Sequence, residues 1–413
     1  MDRKDITNWL IHFTKDISAE NELDVFLSNE YLEIDKGEQE LDMTNQYPYG
    51  IFKYSAFEVL KIILLECGIR YGYSFRNHKT TLYGGEPVIC FTEMPIKSLI
   101  DYAKKRNSES NSSIGIAIKK SDAYKYGARP VIYGLAQSQS TKYEVNTDTC
   151  RIIKASIFPL AEQFRLVPLN LDGKQKIDWT HEREWRIKRR NDIMHHAYVV
   201  LGYETAEIEH LNIFEEEGHC EDIIVIVGDN AQANEVYDLI LTLLDGSSNQ
   251  YDVSFSPKSI SILIINNIKN DNSIKVIEDL DSDSFFKVEL PQLTEEFIQF
   301  IDKTIKHGKD VVSKEATDEY LKRNANNLDK TYNDFIDSCG YCDIRSFKPR
   351  NKYIRAMLKL GVATSYGESY AIDAVGVHFL SQSLCFHEFI TNKVCLYLNQ
   401  EFDNIFLVNS YLD

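Results

Sequence analysis

The sequence predicts an α+β fold for about the first 245 residues, followed by a mostly α-helical C-terminal domain. Three observations carry this expectation. Apolar runs of strand length recur in the first part: WLIHFT at 9–14, VICFT at 88–92, IGIAIK at 114–119 and IIVIV at 223–227. Among them stands AFEVLKIILLECGI at 56–69, which has the apolar spacing of a buried helix. From about residue 291 the period becomes helical, in LTEEFIQFIDKTIKH, ATDEYLKRNANNLDKTYNDFIDSCG and HFLSQSLCFHEFITNKVCLYLNQ.

Taken in order, WLIHFT reads as a short buried strand. Residues 31–55 are polar and turn-rich, a surface loop. The helix over 56–69 has Gly68 where a C-terminal cap belongs. GGEPVICFTEMP places a strand, Val88–Thr92, between two turn signals, and Pro95 then opens a helix to about Lys105. NSESNSS at 107–113 is a loop, IGIAIK alternates as a strand, and ARPVIYGLA at 128–136 is another. DIIVIVGDN at 222–230 is a buried strand ending in turn residues, and ANEVYDLILTLL at 233–244 is its following helix. GSSNQ at 246–250 is the best linker signal. The expected division is therefore a first domain at 1–245, a linker at 246–290 with strand-like runs such as SISILII, and a helical domain at 291–413 for target recognition or regulation.

A chain of 413 residues exceeds one ordinary core, so two domains are expected. Hydrophobic content of 43% and aromatic content of 12% exclude a disordered protein. A net charge of −17 argues against a nucleic-acid coat, while leaving room for a local basic cleft. The densest basic run holds Arg183, Arg186, Lys188, Arg189 and Arg190. Eight scattered cysteines make a disulfide framework too sparse and point to a reducing cytosol. MDRKDITNWL has no apolar core of signal-peptide length, and no run approaches 18 apolar residues. The expectation is a cytoplasmic protein with no membrane partner.

THEREWRIKRR, 180–190, is the stretch most suggestive of chemistry. As a helix it pairs Glu182 with Arg186 at i,i+4 and points Glu182 and Glu184 apart. As a strand it lines Glu182, Glu184 and Arg186 on one face, with Trp185 and Ile187 anchoring the other. The two carboxylates then stand roughly 6–7 Å apart, close enough to interact. Arg186 beyond them is placed to hold a phosphate with its fork. Such a face suits an anionic ligand that develops positive charge when its bond breaks. NAD⁺ fits: breaking the nicotinamide–ribose bond creates an oxocarbenium-like centre that a carboxylate stabilises. A second carboxylate two residues earlier can then orient or deprotonate the incoming nucleophile.

Three pieces in order, His12-Phe13-Thr14, Cys90-Phe91-Thr92-Glu93 and Glu182-Arg183-Glu184-Trp185-Arg186, resemble the scattered signature of the ADP-ribosyltransferase fold. With GIAIKKSDAYKYGARPVIY at 115–133 and the DIIVIVGDN segment, the chain also resembles bacterial abortive-infection AbiGi-like proteins over about residues 8–245. The resemblance implies an ADP-ribosyltransferase-like split mixed sheet with helices, using NAD⁺ as co-substrate. It implies that Glu184 is catalytic and that Glu182 positions the acceptor. It places His12 against the adenine-side ribose and the nicotinamide amide, with Thr14 of the same motif on the NAD⁺ side. Thr92 supports the glutamate and the ribose. Tyr83 is expected to stack on nicotinamide, with Tyr73 and Tyr54 as alternatives. The implied role is a toxin-like effector of antiphage defence. It would modify a nucleic-acid or protein acceptor and would have an antitoxin or another defence protein as partner. The alternatives are an inactive binding or antitoxin protein of the same fold, an NAD⁺ hydrolase, or a nucleic-acid-binding protein using 183–190 and 348–361.

Two C-terminal features stay outside that reading. Cys339 and Cys342 have metal-ligand spacing, and Cys385 and His387 would complete a zinc set, but core or free thiols are the plainer expectation. No metal is assigned. KPRNKYIRAMLKLG at 348–361 is a basic amphipathic helix for which a solvated face is the ordinary explanation.

Overall fold

In a computed structural model of the chain, strand Trp9–Lys15 lies at the middle of a seven-stranded mixed sheet. The structure describes residues 6–18, 53–72, 75–76, 79–96, 98, 100–101, 111–135, 144–145, 151–171, 178–190, 195–201, 204–215, 219–246, 255–269, 271, 273–329, 331 and 334–412. Trp9, Leu10 and Ile11 are all buried. A strand without a wet face needs cover on both sides, which an interior position supplies. The order across the sheet is Ile260–Ile264, Ile223–Val227, Asn111–Lys119, Trp9–Lys15, Val88–Thr92, Glu184–Lys188 and Arg129–Pro130. Neighbours are antiparallel except the pair Ile223–Val227 and Ile260–Ile264. A parallel pair cannot be joined by a tight turn, and helix Asn230–Leu244 lies between the two in sequence. All five residues of IIVIV are buried, as an apolar run with no polar alternation requires.

Trp9, Ile11, Ala117, Ile224, Ile226 and Leu263 form one apolar cluster across the sheet. Helix Ala56–Leu65 packs on strands Trp9–Lys15 and Asn111–Lys119. Its start is a capping box in which Ser55 and Glu58 satisfy each other's backbone N–H groups. Its end differs from expectation. The helix stops at Leu65, and Cys67, at φ 56, takes the left-handed turn assigned to Gly68. Gly68 begins a strand instead, where a Cβ would stand 1.9 Å from the ring of buried His210. That glycine therefore serves close packing between strands.

Gly115 has a similar duty nearer the cleft described below. A Cβ there would lie 2.2 Å from the His12 carbonyl oxygen, at a point where the register shifts between Phe13 and Lys15. Gly115→Ala is expected to force the first strand away and to cost about 1–3 kcal/mol. Thermal unfolding reads this directly, and an unchanged midpoint would refute it.

The segment 128–136 splits. Arg129–Pro130 joins the large sheet, while Ile132–Leu135 pairs in parallel with Leu166–Pro168. Strand Asn111–Lys119 starts inside the expected 107–113 loop. Most of the expected loop at 31–55, and most of the helix after Pro95, lie outside the described residues.

The chain forms two units: Met1–Val236 with Gln250–Phe286, and Tyr237–Asn249 with Lys287–Asp413. This corrects the expected division, because much of 246–290 returns to the first unit and Ile260–Ile264 forms an edge of its sheet. The second unit is not mostly helical. Helices Glu295–His307, Ser313–Arg323, Lys352–Lys359 and Leu384–Glu401 share it with a four-stranded antiparallel sheet. That sheet runs Ala363–Tyr366, Ser369–Ile372, Gly340–Ser346 and Leu407–Leu412. GYCDIRS and LVNSYL carry too many polar residues to read as strands, because one face of the sheet stays wet. Of the basic 348–361 run, Arg350 and Arg355 are tied to Asp238 and Asp245 within this unit. Seven α-helices and the large mixed sheet make the described chain α+β. No helix among the described residues is long and apolar enough to cross a membrane.

Candidate active site

Three strands bring Ile11, Thr92 and Glu184 side by side, because Ile11 pairs with Thr92 and Thr92 pairs with Glu184. Strands Trp9–Lys15 and Val88–Thr92 share that one register pair, whereas Val88–Thr92 and Glu184–Lys188 pair over five. Beside the single pair a side chain takes over: His12 Nδ1 lies 2.9 Å from the Cys90 carbonyl oxygen. A carbonyl only accepts, so Nδ1 carries the proton and Nε2 is left as an acceptor. The Phe91 ring stands against the imidazole at 5.8 Å. Burial, foremost, and Lys15 lower the His12 pKa, against the Cys90 carbonyl, which raises it. The imidazole is therefore neutral at pH 7.

This has a consequence for stability. The unfolded chain takes up a proton near pH 6.5, and the folded chain does so only at lower pH. Stability tied to His12 is thus full above about pH 6.5 and falls as pH drops below it. Denaturant melts between pH 7 and 5.5 are expected to show this loss, and His12→Gln is expected to flatten it. Equal slopes in both proteins would exclude His12 as the cause.

Glu184 opens its strand, and its carboxylate is gripped by Arg186. Arg186 Nε donates to Oε1 at 2.8 Å and Nη2 to Oε2 at 3.2 Å. The same guanidinium donates to the carbonyls of Phe164, at 2.7 Å, and Leu166, at 3.4 Å. Arg186 is 7% exposed. It is committed inward, so the expected phosphate contact is corrected: Arg186 positions Glu184. Cys90 is open to the cleft yet ringed by protein. Burial first, then the Glu184 carboxylate, push its thiol up to about 12, and it stays protonated.

Glu182 is not on the strand. Thr180–Glu182 is a 3₁₀ turn, Arg183 sits in the left-handed region at φ 45, and the strand begins at Glu184. The stretch is thus neither one helix nor one pleated strand. The kink is held because the Thr92 hydroxyl donates to the Glu182 carbonyl and the Glu93 N–H donates to the Arg183 carbonyl at 3.2 Å. Met94 N–H closes the turn on the Thr92 hydroxyl at 3.2 Å. Both glutamates still line one cleft of about 180 Å³, together with His12, Cys90 and Thr92 among others.

Two further predicted site residues are not among those lining the cleft. Thr14 is buried and donates to the Ile114 carbonyl at 3.1 Å, away from the cleft. Tyr83 is 1% exposed, packed with Ile153 and Leu166 under the Arg151 guanidinium. Tyr54 is not among the lining residues, and Tyr73 lies outside the described residues. One residue the sequence did not single out is Tyr133. Its hydroxyl accepts from the Glu184 N–H at 3.3 Å and donates to the Trp179 carbonyl at 3.1 Å. Burial, helped by both glutamates, raises its pKa and keeps it a donor. No sequence signal marks it, since the contact spans 51 residues.

In the second unit, Cys339, Cys342, Cys385 and His387 each have a separate partner: Gln382, Ser410, Asp337 and the Ser381 carbonyl. Among the described residues no group of three or more His, Cys, Asp or Glu is placed to hold a metal ion.

Compared with known proteins, the chain matches no protein-family model, no curated protein and no solved structure.

Proposed function

We propose that the first unit is an ADP-ribosyltransferase-like domain that uses NAD⁺ as co-substrate, in a toxin-like effector of the abortive-infection kind. The observation that carries this is the pairing of an Arg-oriented carboxylate, Glu184, with a neutral histidine, His12, in one cleft where the sheet pairs through a single residue pair. The fit is to the nicotinamide–ribose end alone. About 180 Å³ is below the size of sites that enclose a drug-sized ligand, and among the described residues the cleft lining holds no Lys or Arg. The diphosphate then lies outside the cleft.

NAD⁺ supplies a C–N glycosidic bond whose cleavage releases neutral nicotinamide and leaves positive charge on the ribose. His12 Nε2 accepts a ribose hydroxyl. Glu184 faces the developing cation as a fixed counter-charge. Glu182, on its Thr92-anchored turn, takes the proton of the incoming acceptor. With a nucleic-acid or protein nucleophile the product is an ADP-ribosylated acceptor; with water it is free ADP-ribose. The test is incubation of the full chain with NAD⁺ labelled in the adenylate, together with cellular DNA, RNA and protein. Label on a macromolecule supports transfer, label as free ADP-ribose supports hydrolysis, and intact NAD⁺ throughout opposes both.

A second reading is a binding or neutralising protein that keeps the cleft without turnover. It is favoured by one observation: both Glu184 oxygens are already occupied by Arg186. Expression in a host cell separates the two, since toxicity that depends on Glu184 belongs to an enzyme and harmless wild type to the binding protein.

A further inference from the structure

The first unit has a second, larger concavity of about 1130 Å³, lined by Trp9, Lys119, Lys120, Tyr124, Lys125 and Trp185 among others. We propose that it binds a nucleotide unit, base on the aromatic rings and phosphate at the basic rim. The proposal does not depend on the transferase reading, because it concerns binding alone.

Trp185 is pinned by its edge. Its indole N–H donates to Glu93 at 2.8 Å, and Glu93 holds Lys120 at 2.6 Å, with that ammonium 5.8 Å from the Trp185 ring centroid. The ring is thereby fixed in the cleft wall, and a fixed ring stacks a base at little entropic cost. Tyr124 is 54% exposed, although it is large and aromatic. One of its faces carries the Arg129 guanidinium at 3.9 Å. Arg129 donates to the carbonyls of Tyr124, at 3.2 Å, and Ala128, at 2.8 Å, and meets no carboxylate among the described residues. Lys119, Lys120 and Lys125 are matched by Asp222, Glu93 and Asp122. The lining carries three lysines against Asp222 and Glu278, and Arg129, stacked on the lining ring of Tyr124, adds a cation with no carboxylate partner among the described residues, in a chain of net charge −17. An exposed ring, a guanidinium stacked on it and a fixed indole nearby form a base-stacking platform with one phosphate site. The volume takes one nucleotide with room beside it.

That unit has two sources, a free mononucleotide or a residue of a single strand. The chain has three tryptophans, and two of them, Trp9 and Trp185, line this cleft, so intrinsic fluorescence reports its occupancy. The full chain is titrated with AMP, with UMP and with a short single-stranded RNA. Saturable quenching by the mononucleotides assigns a free-nucleotide site, and quenching by the strand alone assigns a nucleic-acid site. Tyr124→Ala and Arg129→Ala are each expected to weaken binding about ten-fold. Tyr124 lines the cleft and Arg129 stacks on it, and Lys125→Ala, at a further lining residue, replaces either variant that fails to fold. No quenching by any of the three probes, or quenching unchanged in the variants, overturns the proposal.

Discussion

Glu184→Gln is expected to lower NAD⁺-dependent labelling, or nicotinamide release, by at least about 10²–10³-fold. The substitution keeps shape and removes charge. A glutamine carbonyl still accepts one bond from Arg186, so the strand keeps its pairing with Val88–Thr92 over five residues. What disappears is the negative charge opposite the ribose cation. Stability is expected to change by no more than about 2 kcal/mol, the scale of one charge-assisted hydrogen bond. Rates and thermal melts on the same preparation separate the two effects. A folded variant with more than half the wild-type rate removes Glu184 from the chemistry. Glu182→Gln is then informative by contrast, because its turn is held through the backbone carbonyl and not through the carboxylate.

Arg186→Ala is expected to be the most damaging substitution for stability, at about 3–5 kcal/mol. Its guanidinium is 7% exposed and makes bonds to Glu184, Phe164 and Leu166. Removing it strands a half-buried carboxylate without a counter-ion and two carbonyls without a donor. For a unit of this size the loss corresponds to a midpoint roughly 6–20 °C lower. Arg186→Lys is expected to fall between, since one ammonium cannot reproduce the fork. The decisive measurement is a double-mutant cycle. Adding Glu184→Gln to Arg186→Ala removes the stranded charge and is expected to recover part of the stability. Strict additivity would mean that the pair does not interact, and would leave Glu184 without its orienting partner.

Much of the large sheet is legible in the residues. WLIHFT, VICFT and IIVIV announce strands because short, largely apolar runs of five or six residues must be mostly covered. The acidic stretch was harder. Composition cannot foresee that Thr92, 90 residues away, captures the Glu182 carbonyl and holds Arg183 in a left-handed kink. Arg186 looked outward on a pleat, but Phe164 and Leu166 take it inward through a segment that carries no local signal. Tyr83 looked like a stacking ring and is core, because Ile153 and Leu166 close over it. The sheet of the second unit escaped notice because its strands mix polar and apolar residues.

By itself, then, the order of residues determined which segments must be buried and that His12 and Thr92 lie on strands, while it left Glu184 open between helix and strand. Burial follows from local apolar content, which each segment carries within itself. Only the tertiary structure decided that His12 meets Cys90, that Arg186 grips Glu184 and that Glu182 returns to the same cleft on a turn. Those outcomes depend on hydrogen-bond partners supplied by neighbouring strands, and which strands become neighbours is a property of the whole sheet.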